Sequence, residues 1–192
     1  TDKAITGVCS PVIDEYGDNS IIVVPGANMH LSPTDIDKAS GLIAASDMIL
    51  MQLENPVETV HHAARIAHEY GVPVLLNPAP ACVIPDEMLS LVTILTPNEI
   101  EAEMLSGFNV DDTTSAINAA RALLEKDIQS VVLTLGSRGA LLAEKSRIVQ
   151  VQGYKVDVVD TTAAGDAFCA GLAVKFIHDH NLEDAILFAN AA

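Results

Sequence analysis

From about residue 47 onward, short apolar runs alternate with stretches whose hydrophobic positions recur at helical spacing. Met48 to Leu53, Val72 to Leu76, Val92 to Thr96 and Ser130 to Leu135 are continuous Val/Ile/Leu-rich runs, the pattern of strands buried on both faces of a parallel sheet. Between the first two, Asn55 is placed to cap a helix, with Pro56 at its first position and Glu58 closing a capping box. This predicts a helix over Pro56–Tyr70 with an apolar stripe of Val57, Val60, Ala64 and Ala67, ended by Gly71 with Pro73 just beyond. Further helices are predicted to open near Asn98, to run from Thr114 to Lys126 and from Ala164 to His178, and to start near Leu182. Gly136-Ser137-Arg138-Gly139 turns the chain into Ala140–Ala143, which with Arg147–Gln152 predicts a hairpin at a sheet edge, and Val156–Val159 reads as one more strand. The alternation implies an α/β three-layer sandwich around a mostly parallel central sheet, as a single domain over 1–192.

Each predicted buried strand runs into a polar residue: Glu54, Asn77, Asn98, Thr134 and Asp160. Open parallel sheets bind ligands outside the carboxyl ends of their strands, so these five positions are expected to converge on one site. The competing account is that strand-to-helix turns are polar in general.

Charge narrows the classes of ligand. Ten Lys and Arg against 26 Asp and Glu give a net charge of −16, which repels nucleic-acid backbones and anionic lipid surfaces. An anionic substrate would need a local positive field from backbone N–H groups, helix N-termini or metal ions. Cys9, Cys82 and Cys169 lie far apart and form no metal or disulfide pattern, no apolar stretch is long enough to span a membrane, and a cytoplasmic location is expected. Of the six histidines, His61, His62 and His68 lie mostly off a helix's apolar stripe and His178 and His180 at a helix end, so none is expected to bind metal.

The chemistry concentrates in Val158 to Phe168. Small residues at Ala163, Ala164 and Gly165 let the backbone approach a ligand, and a helix starting there aims free N–H groups at it, which makes an anion site. Asp166 beside that site can accept a proton from a substrate hydroxyl; it can also be simply an acidic residue favoured in a helix's first turn.

Asp160-Thr161-Thr162-Ala163-Ala164-Gly165-Asp166 resembles the second signature of the ribokinase-like (phosphofructokinase B type) carbohydrate kinases, with Ala163 where Gly is common, a departure that points to the ribokinase branch. Thr96-Pro97-Asn98-Glu99-Ile100-Glu101 is similar to the family's Asn-x-x-Glu motif, and Thr134-Leu135-Gly136-Ser137-Arg138-Gly139 to its nucleotide loop. Asn77-Pro78-Ala79-Pro80-Ala81 and Met51-Gln52-Leu53-Glu54 follow in the same style, so that the resemblance covers essentially the whole chain.

The resemblance implies ATP-dependent phosphorylation of a sugar hydroxyl, D-ribose to ribose 5-phosphate. Asp166 would be the general base and the N–H groups of Ala163, Ala164 and Gly165 the anion hole. Asn98 and Glu101 would face the phosphates and Mg²⁺, Glu101 through water; a helix cap followed by an acidic first turn is their alternative. Thr134, Leu135, Gly136, Ser137, Arg138 and Gly139 would line the nucleotide, with Asn190 near the adenine, or form an ordinary turn. Asp160 and Thr162 match positions holding K⁺, or make a simple Asx turn. Glu54 matches a sugar contact. The family's N-terminal sugar-binding and lid region would be largely missing, only Ile21 to Asn28 resembling its later part, and the chain reads as truncated at both ends of a homodimeric enzyme. Another sugar or nucleoside kinase of this fold, a fructokinase or deoxyribokinase among them, and a non-catalytic nucleotide-binding remnant remain the alternatives.

Overall fold

Leu75 and Leu76 are adjacent and both fully buried, which requires protein on both faces of the strand that carries them. In the computed structural model, which describes residues 4–13 and 19–192, two hydrophobic clusters supply those faces. Leu76, Leu95, Val131 and Leu133 point into one, and Leu75, Ile94 and Val132 into the other. The strict alternation of side chains explains why the strands read as unbroken apolar runs. Burying each such Leu or Ile contributes about 1.5–3 kcal/mol.

In chain order the elements are β1 (Val8–Ile13), β2 (Asn19–Val24), a 3-10 turn (Gly26–His30), α1 (Pro33–Ala44), β3 (Ile49–Met51), α2 (Val57–Glu69), β4 (Val74–Leu76), α3 (Asp86–Leu89) and β5 (Ile94–Leu95). They continue with α4 (Glu99–Ser106), α5 (Thr113–Leu124), β6 (Ser130–Thr134), a 3-10 turn (Gly136–Arg138), β7 (Ala140–Glu144), β8 (Arg147–Val151), α6 (Ala164–Asp179) and α7 (Leu182–Ala189). The main sheet has order β3-β4-β5-β6-β7-β8, parallel from β3 to β6 and antiparallel from β6 to β8. Residues of α2, α3, α4 and α5 fill the cluster on one face, and residues of α6 and α7 the cluster on the other. This is the expected three-layer α/β sandwich. Among the described residues no helix is long and apolar enough to cross a membrane.

Several expectations are corrected. Val156–Val159 forms no strand: Val156, Val158 and Val159 are exposed, Val159 by 99%. Valine favours strands only where a neighbouring strand and a packed face exist, and among the described residues none lies alongside. Helix α2 starts one residue later than expected, because Pro56 takes an extended ψ of 126° and becomes the N-cap. Its carbonyl receives the Thr59 and Val60 N–H groups at 2.8 and 3.1 Å, so the Asn55–Glu58 capping box does not form.

Two features before residue 47 carried no expected element beyond the apolar run at Ile21 to Val24. Strands β1 and β2 pair antiparallel as a separate two-stranded sheet, with Val8 opposite Val24. Helix α1 opens with Ser32-Pro33-Thr34-Asp35: the Ser32 N–H and hydroxyl both donate to Asp35 Oδ2, at 3.2 and 2.6 Å. That spacing, with Pro at the first helical position, was readable as a start signal.

Candidate active site

The carboxyl ends of β4, β5 and β6 and the N-terminus of α6 surround a cavity of about 200 Å³. Its walls are Asn77, Ala79, Thr96, Asn98, Glu101, Thr134, Ala163, Gly165, Asp166 and Cys169. Three of the five polar strand ends, Asn77, Asn98 and Thr134, therefore converge as the parallel-sheet rule requires. Glu54 and Asp160 do not line the cavity. Glu54 lies exposed on the loop after β3, and Asp160 sits on the exposed segment that fails to become a strand.

The start of α6 is built by an unusual backbone. Ala163, its N-cap, has φ 61° and ψ 10°, a left-handed conformation that costs a residue with a Cβ about 1–2 kcal/mol. The Ala164 N–H returns to the Thr161 carbonyl at 3.1 Å, and the Ala163 carbonyl takes the Ala167 N–H at 2.9 Å. The N–H groups of Gly165 and Asp166 find no hydrogen-bond acceptor among the described residues. Two free donors thus open beside the Asp166 carboxylate, at the positive end of a 16-residue helix. Ala163→Val would crowd a β-branched side chain into the left-handed region and is expected to destabilise the protein by about 1–3 kcal/mol. Ala163→Gly should stay within about 1 kcal/mol of the parent, the relieved strain offsetting the added freedom of the unfolded chain. Thermal unfolding of the two variants measures the difference.

Opposite stands α4. Asn98 Oδ1 accepts the Glu101 N–H at 2.8 Å while the Asn98 N–H donates to Glu101 Oε2, also at 2.8 Å, a complete capping box. The helix-cap account of this pair is therefore real, and it coexists with a place in the cavity wall. Glu101 is only 5% exposed, and burial pushes its carboxyl above the usual carboxylate range, opposed by the Asn98 N–H. Beneath it, Thr96 Oγ1 lies 3.4 Å from Cys169 Sγ and donates to the Leu76 carbonyl at 3.3 Å, and Asn77 Nδ2 donates to the Thr96 carbonyl at 2.9 Å. Burial raises the Cys169 thiol as well.

A buried carboxylate facing a cavity with one oxygen unclaimed suits a hydrated divalent cation, whose charge would offset the cost of burial. Among the described residues no group of three His, Cys, Asp or Glu gathers to ligate a metal directly, so such an ion would keep waters and phosphate oxygens in its shell. The Asp160 and Thr162 pair forms an Asx turn: Asp160 Oδ1 accepts the Thr162 N–H at 2.8 Å, and that bond foremost holds the carboxyl below its ordinary value.

The loop after β6 is pinned from several sides. The Leu135 N–H donates to the Gly139 carbonyl at 2.8 Å, the Arg138 guanidinium pairs with Glu99, and Gln150 Nε2 donates to the Arg138 carbonyl at 3.2 Å. Leu135 is buried, and Thr134 alone of the loop reaches the cavity wall. Asn190, the C-cap of α7, donates to the Gln152 carbonyl at 3.2 Å, which ties the helix to the end of β8.

A free anion site, a carboxylate beside it and a glycine loop are thus held at the ends of parallel strands, and the pfkB family carbohydrate kinase profile matches residues 1–192. The chain belongs to this family. It is 43% identical over 190 residues to the ribokinase of Haemophilus influenzae, covering 99% of this chain and 62% of that protein. It is 37% identical over 189 residues to a deoxyribokinase of Salmonella typhi, covering 96% of this chain and 62% of that one. The solved structure of Arabidopsis thaliana ribokinase complexed with ribose and ATP superimposes with a TM-score of 0.88 at 31% identity, over 99% of this chain and 62% of that chain. The pfkB chain described here therefore spans 62% of the length of each of these three proteins. In this pfkB chain Ala79, Thr96 and Cys169 stand in the cavity wall without having been assigned a role from sequence, and Gln52 reaches Asp166. The first two fall inside the matched motifs, which was the available signal; Cys169 could have been found three residues along α6 from Asp166, on the same helical face.

Proposed function

We propose that this chain carries the phosphoryl-transfer centre of an ATP-dependent sugar kinase whose acceptor is D-ribose and whose product is ribose 5-phosphate. The observation that carries the reading is the pairing of the Asp166 carboxylate with the free N–H groups of Gly165 and Asp166 in one cavity. In the proposed reaction Asp166 takes the proton of the sugar hydroxyl as that oxygen attacks the terminal phosphorus of ATP, and the P–O bond to ADP breaks. The free N–H groups of Gly165 and Asp166 hold the charge spread over the transferring phosphoryl oxygens, which in a loose transition state is most of what a protein can contribute; the Ala164 N–H is already taken by the Thr161 carbonyl.

In the same reading Asn98 and Glu101 face the phosphates, Glu101 holding Mg²⁺ through water, and Mg²⁺ supplies charge neutralisation between the phosphates when bound. Thr134 to Gly139 line the nucleotide with Asn190 at the adenine end, Glu54 contacts the sugar, and K⁺ takes the exposed oxygens of Asp160 and Thr162. A homodimer is proposed for the full-length protein, supported by the apolar side chains Val8, Val12, Ile22, Val23 and Val24 exposed on β1 and β2. A cytoplasmic location accords with the three free cysteines.

The deoxyribokinase relative supports 2-deoxyribose as a second acceptor. A coupled assay of ADP release by the natural protein over ribose, 2-deoxyribose, fructose and adenosine tests both: ribose should give the highest kcat/KM, and no ADP with any acceptor would end the kinase reading. A second outcome concerns Glu101→Gln, which keeps an acceptor for the Asn98 N–H but removes the charge. Because the folded-state pKa of Glu101 is raised, its ionisation lowers stability as pH rises through that value, so the Gln variant should be the more stable at pH 7 and lose its advantage toward pH 4. Its turnover at limiting Mg²⁺ should fall by about 10 to 100-fold.

A further inference from the structure

Asp166 is held from across the cleft. Gln52 Nε2 lies 2.9 Å from Asp166 Oδ1, joining residues 114 apart in sequence. A carboxylate offers only acceptors, so the amide donates, and the orientation of the Gln52 side chain follows from chemistry. No other side chain or backbone N–H among the described residues donates to the Asp166 carboxylate, which leaves Oδ2 without a donor on a side chain that lines the cavity.

Gln52 is itself well placed to act as a fixed point. It follows β3, the edge strand of the main sheet, and lies between two anchored neighbours. On one side the Asn77 N–H donates to the Met51 carbonyl at 2.9 Å; on the other the Leu53 N–H donates to the Ala79 carbonyl at 2.8 Å, and the Leu53 side chain is buried in the core. The donor therefore belongs to the sheet, whereas the base belongs to a helix on one face of it.

We infer that Gln52 is a positioning residue for the kinase reaction: its amide holds one oxygen of Asp166 so that the other is presented to the acceptor hydroxyl. This rests on the proposed role of Asp166 as base. A free carboxylate samples several side-chain rotamers, and proton transfer requires one of them at hydrogen-bond distance from the hydroxyl. Holding it in advance raises the fraction of productive complexes without touching ATP, so the contribution belongs to kcat.

Two variants of the natural protein separate this from a packing role. Gln52→Leu removes the donor and should lower kcat about tenfold. Gln52→Glu keeps length and shape but sets a second carboxylate against Asp166, and should lower kcat further. The KM for ATP should stay within about twofold in both, and the melting temperature of Gln52→Leu close to the parent's, because the hydrogen bond is exposed. A parental kcat in Gln52→Leu, equal activity in Gln52→Glu and the parent, or a loss shared by kcat, ATP KM and melting temperature would each overturn the inference. Two controls locate the fault. A parent protein without sugar-dependent ADP release removes the kinase reading and this inference with it; an Asp166→Asn variant with full turnover removes Asp166 as the base, and this inference with it, while the kinase reading stands. An active parent and an inactive Asp166→Asn beside a normal Gln52→Leu removes this inference alone.

Discussion

Replacing Asp166 by Ala in the natural protein should lower kcat for ribose by about 10² to 10⁴ while leaving the fold and ATP binding near normal. The magnitude is that of a lost general base. Among the described residues the side chain makes one hydrogen bond, an exposed one from the Gln52 amide, so its removal uncovers no buried hydrogen-bonding partner. The N–H groups of Gly165 and Asp166 remain, because Ala donates the same backbone hydrogen and favours the helix. The loss should therefore fall on kcat, with residual catalysis from the anion hole. Steady-state kinetics with ribose and ATP varied in turn, alongside circular dichroism, measures this; turnover near that of the parent would remove Asp166 from the chemistry.

Gly139→Ala should have the largest effect on stability, lowering it by about 2–5 kcal/mol. Gly139 has φ 83°, and a Cβ there would collide with the Val151 carbonyl oxygen and the Gly153 amide nitrogen and lie 2.7 Å from the Gln152 carbonyl carbon. Those atoms are backbone and cannot swing aside. The same loop holds an internal control in Gly136, which is also left-handed at φ 54° but has open space around the Cβ position. Gly136→Ala should cost only the conformational term, about 1–2 kcal/mol. Urea unfolding of both gives the difference, which isolates the collision. Because Gly139 closes the loop through the Leu135 N–H, the collision should also raise the KM for ATP.

The layers of the fold were legible because parallel strands buried on both faces cannot hide their apolar runs. The helices at 99–106, 113–124 and 164–179 were legible because caps and helical spacing are local signals. What depended on a distant partner was not. Val156–Val159 has the composition of a strand and, among the described residues, no strand to pair with, whereas β3 and β5 were expected as Met48–Leu53 and Val92–Thr96 and form, shortened to three and two residues, where neighbours hold them. The site divides along the same line. Asn98 and Glu101 announce themselves by spacing, and Asp166 by the small residues Ala163, Ala164 and Gly165 that precede it. The contact of Gln52 with Asp166 and of Thr96 with Cys169 arises from packing α6 against strand ends far away in sequence, which no local pattern encodes. Glu54 and Asp160 were placed in the cleft by the rule for strand ends, yet one lies on a loop beyond β3 and the other follows a strand that does not form.

The link between Gln52 and Asp166 also bears on the order of folding. The β6-β7-β8 meander is built from neighbours in sequence and closes its loops at low entropic cost, so it can form early. The base meets its amide only after β3 has paired with β4 at the edge of the sheet and α6 has docked on one face of it. During refolding, then, recovery of turnover should lag behind recovery of secondary structure.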